Sequence, residues 1–284
     1  MNISFIGIGD MGSQMVPHLA EAGHTVTIWD RDPDKMAAIE SDRIAVGSSL
    51  ENVVKASQVI ITSVMSDDVL ALHLGNDHTP GIIKYLQPDS ILIVTSTLDP
   101  EKIFTINQAM PTTTKLLDVP MIGGVRYARE AQLNLIAAGP TKAFEVVSPI
   151  LSLLGNVKYT GALGNGAKLK LITNVGIMAA EAGIRETLDL ADAYGIDYET
   201  VLDLLQVGPL KPVVIRALDQ TNPRPLKDSV ADVDELLAAT ESLLKLPLAE
   251  AARNRLRKAV NDDPQEARFI DITTTDTKLP QFRQ

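Results

Sequence analysis

A chain of 284 residues that is 45% hydrophobic can bury one large core or two ordinary ones. Its formal net charge of -10 excludes the clustered-cation surface that nucleic acid requires. With no cysteine there are no disulfides, thiolate nucleophiles or cysteine-ligated metal centres.

The four histidines, His18, His24, His73 and His78, are not at metal-ligand spacing, so no metal is expected. The opening MNISFIGIG lacks the basic stretch and cleavage site of a signal peptide. No apolar run approaches the roughly 18 residues of a membrane span. These features predict a soluble, cytoplasmic globular protein without membrane or nucleic-acid partners.

Residues 2–8 form an apolar run rich in isoleucine, the pattern of a buried parallel strand. Gly7-Ile8-Gly9-Asp10-Met11-Gly12 follows, then a helical segment to about residue 22, a stop at Gly23 and a second strand over 25–29. Each glycine has its own task in such a strand–turn–helix: Gly7 permits the turn, Gly9 admits a pyrophosphate, and Gly12 lets helix and strand pack closely. The helix start then offers free N–H groups to phosphate. Asp30, closing the second strand, is the expected acceptor for ribose hydroxyls, which favours NAD. Arg31 beside it leaves NADP open, because a guanidinium can hold a 2′-phosphate.

Helices are predicted over 34–40 and 50–56, and strands over 59–64, 91–95, 115–119 and 133–138. This alternation predicts an α/β, doubly wound, mostly parallel sheet of the Rossmann type. Ligands of such sheets bind beyond the strands' C-terminal ends. That nominates Val64, Met65 and Ser66 after one strand, and Thr95, Ser96 and Thr97 after the next. The same serine and threonine also suit turn or N-cap positions ahead of Pro100.

Residues 164–195 lack any break after Gly-Asn-Gly, and Leu169, Ile172, Ile177, Ala180, Ile184 and Leu188 recur at helical spacing. About 28 helical residues would run roughly 42 Å, enough to pass from one domain into another. Lys170 and Asn174, four apart, project from one face. A lysine among Leu169, Leu171 and Ile172 can lose hydration, which lowers the ammonium's pKa toward that of a useful proton donor. Beyond residue 195 the segments 197–206, 212–218, 230–244 and 248–260 are helical, and their apolar residues, Val201, Leu204, Leu205, Leu236, Leu237, Leu243 and Leu244, are expected on the long helix or a partner subunit. The polar stretch 276–284 reads as a mobile tail.

The segments 7–12, 95–97, 118–139 (DVPMIGGVRYAREAQLNLIAAG) and 164–174 together, in order and over nearly the whole chain, resemble the β-hydroxyacid dehydrogenase family. The resemblance implies a Rossmann-type domain over 1–162, a long connecting helix over 163–195 and an all-α C-terminal domain to 284. It implies hydride transfer between NAD or NADP and a small β-hydroxy acid or semialdehyde, in a homodimer or homotetramer. Lys170 falls on the family's catalytic lysine and Asn174 on the asparagine one turn later, and Ser96, Ile122, Gly123 and Gly124 fall in the substrate region. The chain departs from the family in three places. Ile122 stands where serine is usual, Ala131 where glycine is frequent, and Asp234 where a Lys-Asp-Leu lysine is expected, unless Lys227-Asp228 is its counterpart. Two other readings remain open: an imine reductase with an apolar pocket, and a non-catalytic dinucleotide-binding scaffold.

Overall fold

The computed structural model of the protein describes residues 1–262 and 267–282. The chain divides into two compact units, Met1–Leu171 and Ile172–Gln284. In the first, β1 (Asn2–Ile6), α1 (Gly12–Glu21), β2 (Thr25–Trp29), α2 (Pro33–Ala37), β3 (Ile44–Val46), α3 (Leu50–Lys55), β4 (Val59–Thr62), α4 (Ser66–Leu74), β5 (Ile91–Val94), α5 (Pro100–Ala109) and β6 (Lys115–Asp118) build a wholly parallel sheet. Its order is β3-β2-β1-β4-β5-β6, so the chain reverses direction across the sheet between β1 and β4.

Both faces of the sheet are covered, which is why its strands read as continuous apolar runs. Ile3, Phe5, Val59, Ile61, Ile91 and Ile93 join one core. The intervening Ile6, Ile60, Leu92 and Val94 join the other. Each such side chain contributes about 1.5–3 kcal/mol when fully buried.

The expectation that 133–138 extends the same sheet is corrected. That segment is β8 (Leu133–Ala137), between β7 (Met121–Ile122) and β9 (Gly155–Tyr159) in a separate three-stranded sheet. Its link to β6 is one antiparallel bridge, Asp118 with Ala138. Pro120 gives the chain no N–H to donate just after β6, and β7 turns back antiparallel to β8. Helices α6 (Val125–Arg129) and α7 (Thr141–Leu151) connect these strands.

The long helix α8 (Asn165–Tyr194) has 30 residues. Its buried face follows the stripe read from the sequence only in part: Ile184 and Leu188 are buried, the rest of the stripe is not. Ile172 is 64% exposed, whereas Leu171, Asn174, Met178, Glu181, Arg185 and Leu188 are buried at steps of three and four. Three of those six are polar, and a hydrophobic period passes over them.

The second unit continues with α9 (Tyr198–Gln206), α10 (Lys211–Ala217), α11 (Leu226–Thr240) and α12 (Pro247–Asp262). Asp197 caps α9 through Thr200 N–H at 2.8 Å. Ile184, Leu188, Leu202, Val214, Leu226, Val230, Leu256 and Phe269 form the core. Leu204, Leu243 and Leu244 are exposed rather than packed on the long helix.

The polar tail is likewise corrected over its described part. Residues 269–282 wind into short 3-10 turns. The Thr277 side chain is buried, and Arg185 Nη1 donates to Thr274 O at 2.7 Å and to Thr277 Oγ1 at 3.2 Å. Residues 283 and 284 lie outside the described residues.

Candidate active site

The C-terminal ends of β1, β2, β4 and β5 carry most residues nominated from the sequence. Gly7 takes φ +99°, and a Cβ there would lie 2.2 Å from Ser63 O. A Cβ on Gly12 would lie 2.0 Å from Gly7 O, so α1 approaches the turn as closely as backbones allow. Gly9 has open space at its Cβ position. Two glycines are thus required by neighbouring backbone, and the middle one faces room for a ligand. Asp10 is exposed and Met11 half-buried at this turn.

Asp30 grips the same turn. Its Oδ2 accepts the Ile8 N–H at 2.6 Å and its Oδ1 accepts the Asp32 N–H at 2.9 Å. Each oxygen keeps a further lone pair for a hydroxyl donor. Arg31 is exposed and pairs with Asp68 of α4 at 3.3 Å. After β4, Val64, Met65 and Ser66 lead into α4. After β5, Thr95 and Ser96 are buried: Thr95 Oγ1 donates to Thr62 O at 2.9 Å and Ser96 Oγ to Val64 O at 2.6 Å. Both hydroxyl protons are therefore used within the protein, which leaves acceptor lone pairs for anything else. Asp99, not Ser96 or Thr97, caps α5, accepting from Glu101 N–H at 2.9 Å.

Beneath these ends His73 is fully buried. Its Nδ1 donates to Val69 O at 2.7 Å, and its Nε2 faces Thr62 Oγ1 at 3.1 Å. Burial pushes its pKa down to about 4, against the pull of the Val69 carbonyl.

Gly123 and Gly124 both take positive φ, +143° and +84°. A Cβ on Gly123 would meet Tyr127 Cβ at 2.7 Å. Half-buried Ile122 ends β7 opposite Asn134. Ala131 takes φ +53°, a conformation suited to glycine.

Lys170 and Asn174 are placed one turn apart on α8. Lys170 is half-buried, whereas Lys168 is exposed and stands 5.9 Å over the Phe104 ring. Asn174 is fully buried, and neither Nδ2 nor Oδ1 has a hydrogen-bond partner among the described residues. A buried primary amide in that state has donors and an acceptor to offer an incoming group. Asp234 in α11 pairs with Arg257 at 2.5 Å and with Arg253 at 3.7 Å, so its carboxylate is engaged within its own unit.

The sequence reading missed Asp118. This buried residue ends β6, and its Oδ2 accepts the Ala167 N–H at 2.8 Å. Burial pushes its pKa up to about 7, although the N–H groups of Ala167, Gly166 and Gly164 pull it down. The signal was available: an acid at the end of an apolar strand, and two glycines opening a helix without their own side-chain cap.

Residues 2–164 match the family model for the NAD binding domain of 6-phosphogluconate dehydrogenase. The chain is 30% identical over 269 residues to glyoxylate/succinic semialdehyde reductase 1 of Arabidopsis thaliana, covering 91% of this chain and 92% of that protein. The fold is shared with 3-hydroxyisobutyrate dehydrogenase of Mycobacterium tuberculosis, at a TM-score of 0.80 and 21% identity over 96% of this chain and 98% of that one. A variant of the imine reductase of Myxococcus stipitatus has the same fold at a TM-score of 0.64 and 20% identity, over 98% and 99% of the two chains.

Proposed function

Because the chain belongs to the NAD(P)-dependent hydroxyacid dehydrogenase family built on the NAD binding domain of 6-phosphogluconate dehydrogenase, we propose that it interconverts a small β-hydroxy acid and its semialdehyde-type carbonyl, with Lys170 as general acid and base. The observation that carries this reading is the pair on α8: a half-buried lysine, and one turn on a buried asparagine whose amide has no hydrogen-bond partner among the described residues.

The framework suits a dinucleotide. Gly9 is open where Gly7 and Gly12 are crowded, and the Asp30 carboxylate is fixed beside the turn. Gly7, Gly9, Asp10, Met11 and Gly12 would hold the pyrophosphate, Asp30 the ribose, and Val64, Met65, Ser66, Thr95 and Ser96 the remainder. When bound, the nicotinamide donates or accepts the hydride.

The protein's part is proton transfer and charge stabilisation. The Lys170 ammonium stabilises negative charge developing on the carbonyl oxygen and gives it a proton; in the reverse direction the neutral amine takes the hydroxyl proton. Asn174 orients that oxygen through its free amide. The Gly123 and Gly124 N–H groups are available to a substrate carboxylate. Arg31 is engaged by Asp68 and the Asp30 carboxylate is fixed at the turn, an arrangement that favours NAD over NADP.

Reduction of a cyclic imine is the second reading. Ile122 supports it, since an apolar group replaces the usual hydroxyl; the retained Lys170 supports carbonyl chemistry. A panel of small aldehydes, semialdehydes, β-hydroxy acids and cyclic imines, each with NADH and NADPH, separates the two. Lys170→Ala should lower kcat at least about 100-fold while the cofactor Kd stays within about threefold. Turnover by that variant at the parent rate would remove Lys170 from the reaction.

A further inference from the structure

The buried acid at the end of the last strand of the parallel sheet has no part in the proton-transfer pair or the dinucleotide framework. Asp118 stands at the end of β6 at 0% exposure. Its Oδ2 holds the Ala167 N–H at 2.8 Å, while its Oδ1 has no hydrogen-bond partner among the described residues. A Cβ on Gly166 would lie 2.8 Å from Asp118 Oδ2, from Asp118 O and from Ile136 O. The opening turn of α8 therefore rests directly on the acid, with no room for a side chain between them.

A helix leaves its first four N–H groups without internal partners. In α8 the acid from β6 takes the Ala167 N–H, while the Asn165 side chain is used elsewhere, donating to Thr160 O at 2.8 Å. Lys170 lies three residues past Ala167, about 4.5 Å along the axis. Within so short a distance a helix moves as one body, so a shift of its opening turn is a shift of the lysine. Proton transfer tolerates little of that; a misplacement of about 1 Å can cost about 100-fold in rate.

We infer that Asp118 is a positioning residue for the reaction, fixing the Lys170 amine by gripping the first turn of α8 without touching substrate. This inference rests on the reading of Lys170 as the proton donor.

Two variants of the full chain test it from opposite sides of the contact. Asp118→Asn keeps the volume but removes the charge, so the Ala167 N–H meets at best a neutral amide oxygen and the grip on the helix weakens. Gly166→Ala leaves the acid and pushes the helix from it. Both are assayed with the fastest-reacting member of the panel above. In each, kcat should fall about 10- to 100-fold while KM and the cofactor Kd stay within about threefold. Without cofactor, amide exchange should quicken over residues 164–170 and nowhere else.

A folded Asp118→Asn variant with kcat within about twofold of the parent overturns the inference. Equal losses in kcat and cofactor affinity also overturn it, because they mark a purely structural role. Should Asp118→Asn not fold, Asp118→Ser and Gly166→Ala are read by the same criteria. If none folds, the acid serves stability alone and the inference fails. Turnover by Lys170→Ala, or no turnover of any panel member by the parent, sinks the reading of Lys170 and this inference with it. An inactive Lys170→Ala beside fully active Asp118→Asn and Gly166→Ala sinks the inference only.

Discussion

The two units bury polar side chains by different chemistry. In the first, a buried side chain meets backbone: Asp118 meets the Ala167 N–H, Ser4 the Val53 carbonyl, Thr95 the Thr62 carbonyl and His73 the Val69 carbonyl. In the second, side chains largely meet one another. Arg185 at 0% exposure reaches Asp189 at 3.3 Å, Asp192 at 3.7 Å and Tyr198 OH at 2.8 Å. Arg255 takes both oxygens of Asp189, and Lys278 pairs with Asp192 at 2.7 Å. The reason is geometric. Strand ends and glycine turns leave N–H and C=O groups open at the edge of a core, whereas a helix uses its own between its ends. A helical unit that buries polar residues must therefore pair them largely with each other, and charge is the strongest way to do so.

The largest test of that contrast removes the central cation of the helical unit. Arg185→Ala leaves Asp189 to Arg255 and Asp192 to Lys278 alone, unpairs the Thr274 carbonyl and empties the volume of a buried side chain, and should cost about 3–5 kcal/mol, read from urea unfolding. A loss below about 1 kcal/mol would mean that the charges are as dispensable as surface pairs.

Acid separates the units next. Burial works against the Asp192 carboxylate, but hydrogen bonds from Lys278 and Tyr198 and the charges of Lys278 and Arg185 outweigh it and hold its pKa below the usual range. Burial and the Asp192 carboxylate push Tyr198 up to about 12. The Asp192 carboxylate thus keeps its charge between pH 5 and 7, while two groups of the sheet unit titrate around that window. His73, lowered to about 4, refuses a proton that the unfolded chain accepts below 6.5, so its contribution to stability is lost as pH falls from 6.5 toward 4. Asp118, raised to about 7, keeps a proton that the unfolded chain gives up above 3.8, so it adds stability as pH falls from 7 toward 3.8. From pH 6.5 to 5 the two nearly cancel, each on the order of 1.5–2 kcal/mol. Asp118→Asn removes the gain and exposes the His73 loss, so its stability should fall by about that amount over the interval while the parent's stays nearly level. Parallel pH profiles for the two would refute this assignment.

The smallest test concerns a departure from the first unit's reliance on glycine. Ala131 holds a left-handed φ of +53°. Ala131→Gly should stabilise by about 0.5–1 kcal/mol, a rise of a few degrees in Tm, because relieved strain exceeds the added chain entropy. An unchanged or lower Tm would show that the strain is not felt.

The same contrast explains what could be read from the sequence. Gly7, Gly12 and Asp30 were legible because each is demanded by a neighbouring backbone group, and such demands leave fixed spacings. Strands β1, β4, β5 and β6 were legible as buried apolar runs, and β2 as the strand that follows the glycine turn and helix. The edge strand β3 was not, being three residues long with two of them exposed, nor was β9, GNVKY, which exposed polar residues interrupt. Helix α7 was hidden by its internal Pro149. The length of α8 followed from its lack of breaks, but its buried face only in part, because Asn174, Glu181 and Arg185 stand where the period expects apolar residues. Partners such as Arg255 for Asp189, 66 positions apart, leave no periodic trace.

That wiring also has a consequence for synthesis. Arg185 finds Ile272 and Thr277 only 87 and 92 positions later in the chain. A nascent protein emerging N-terminus first can assemble the sheet unit as soon as its strands appear. The guanidinium at the heart of the helical unit, though paired early with Asp189 and Asp192, lacks its acceptors on Ile272, Thr274 and Thr277 until those residues have emerged, so the final packing of that unit comes later than that of the sheet unit.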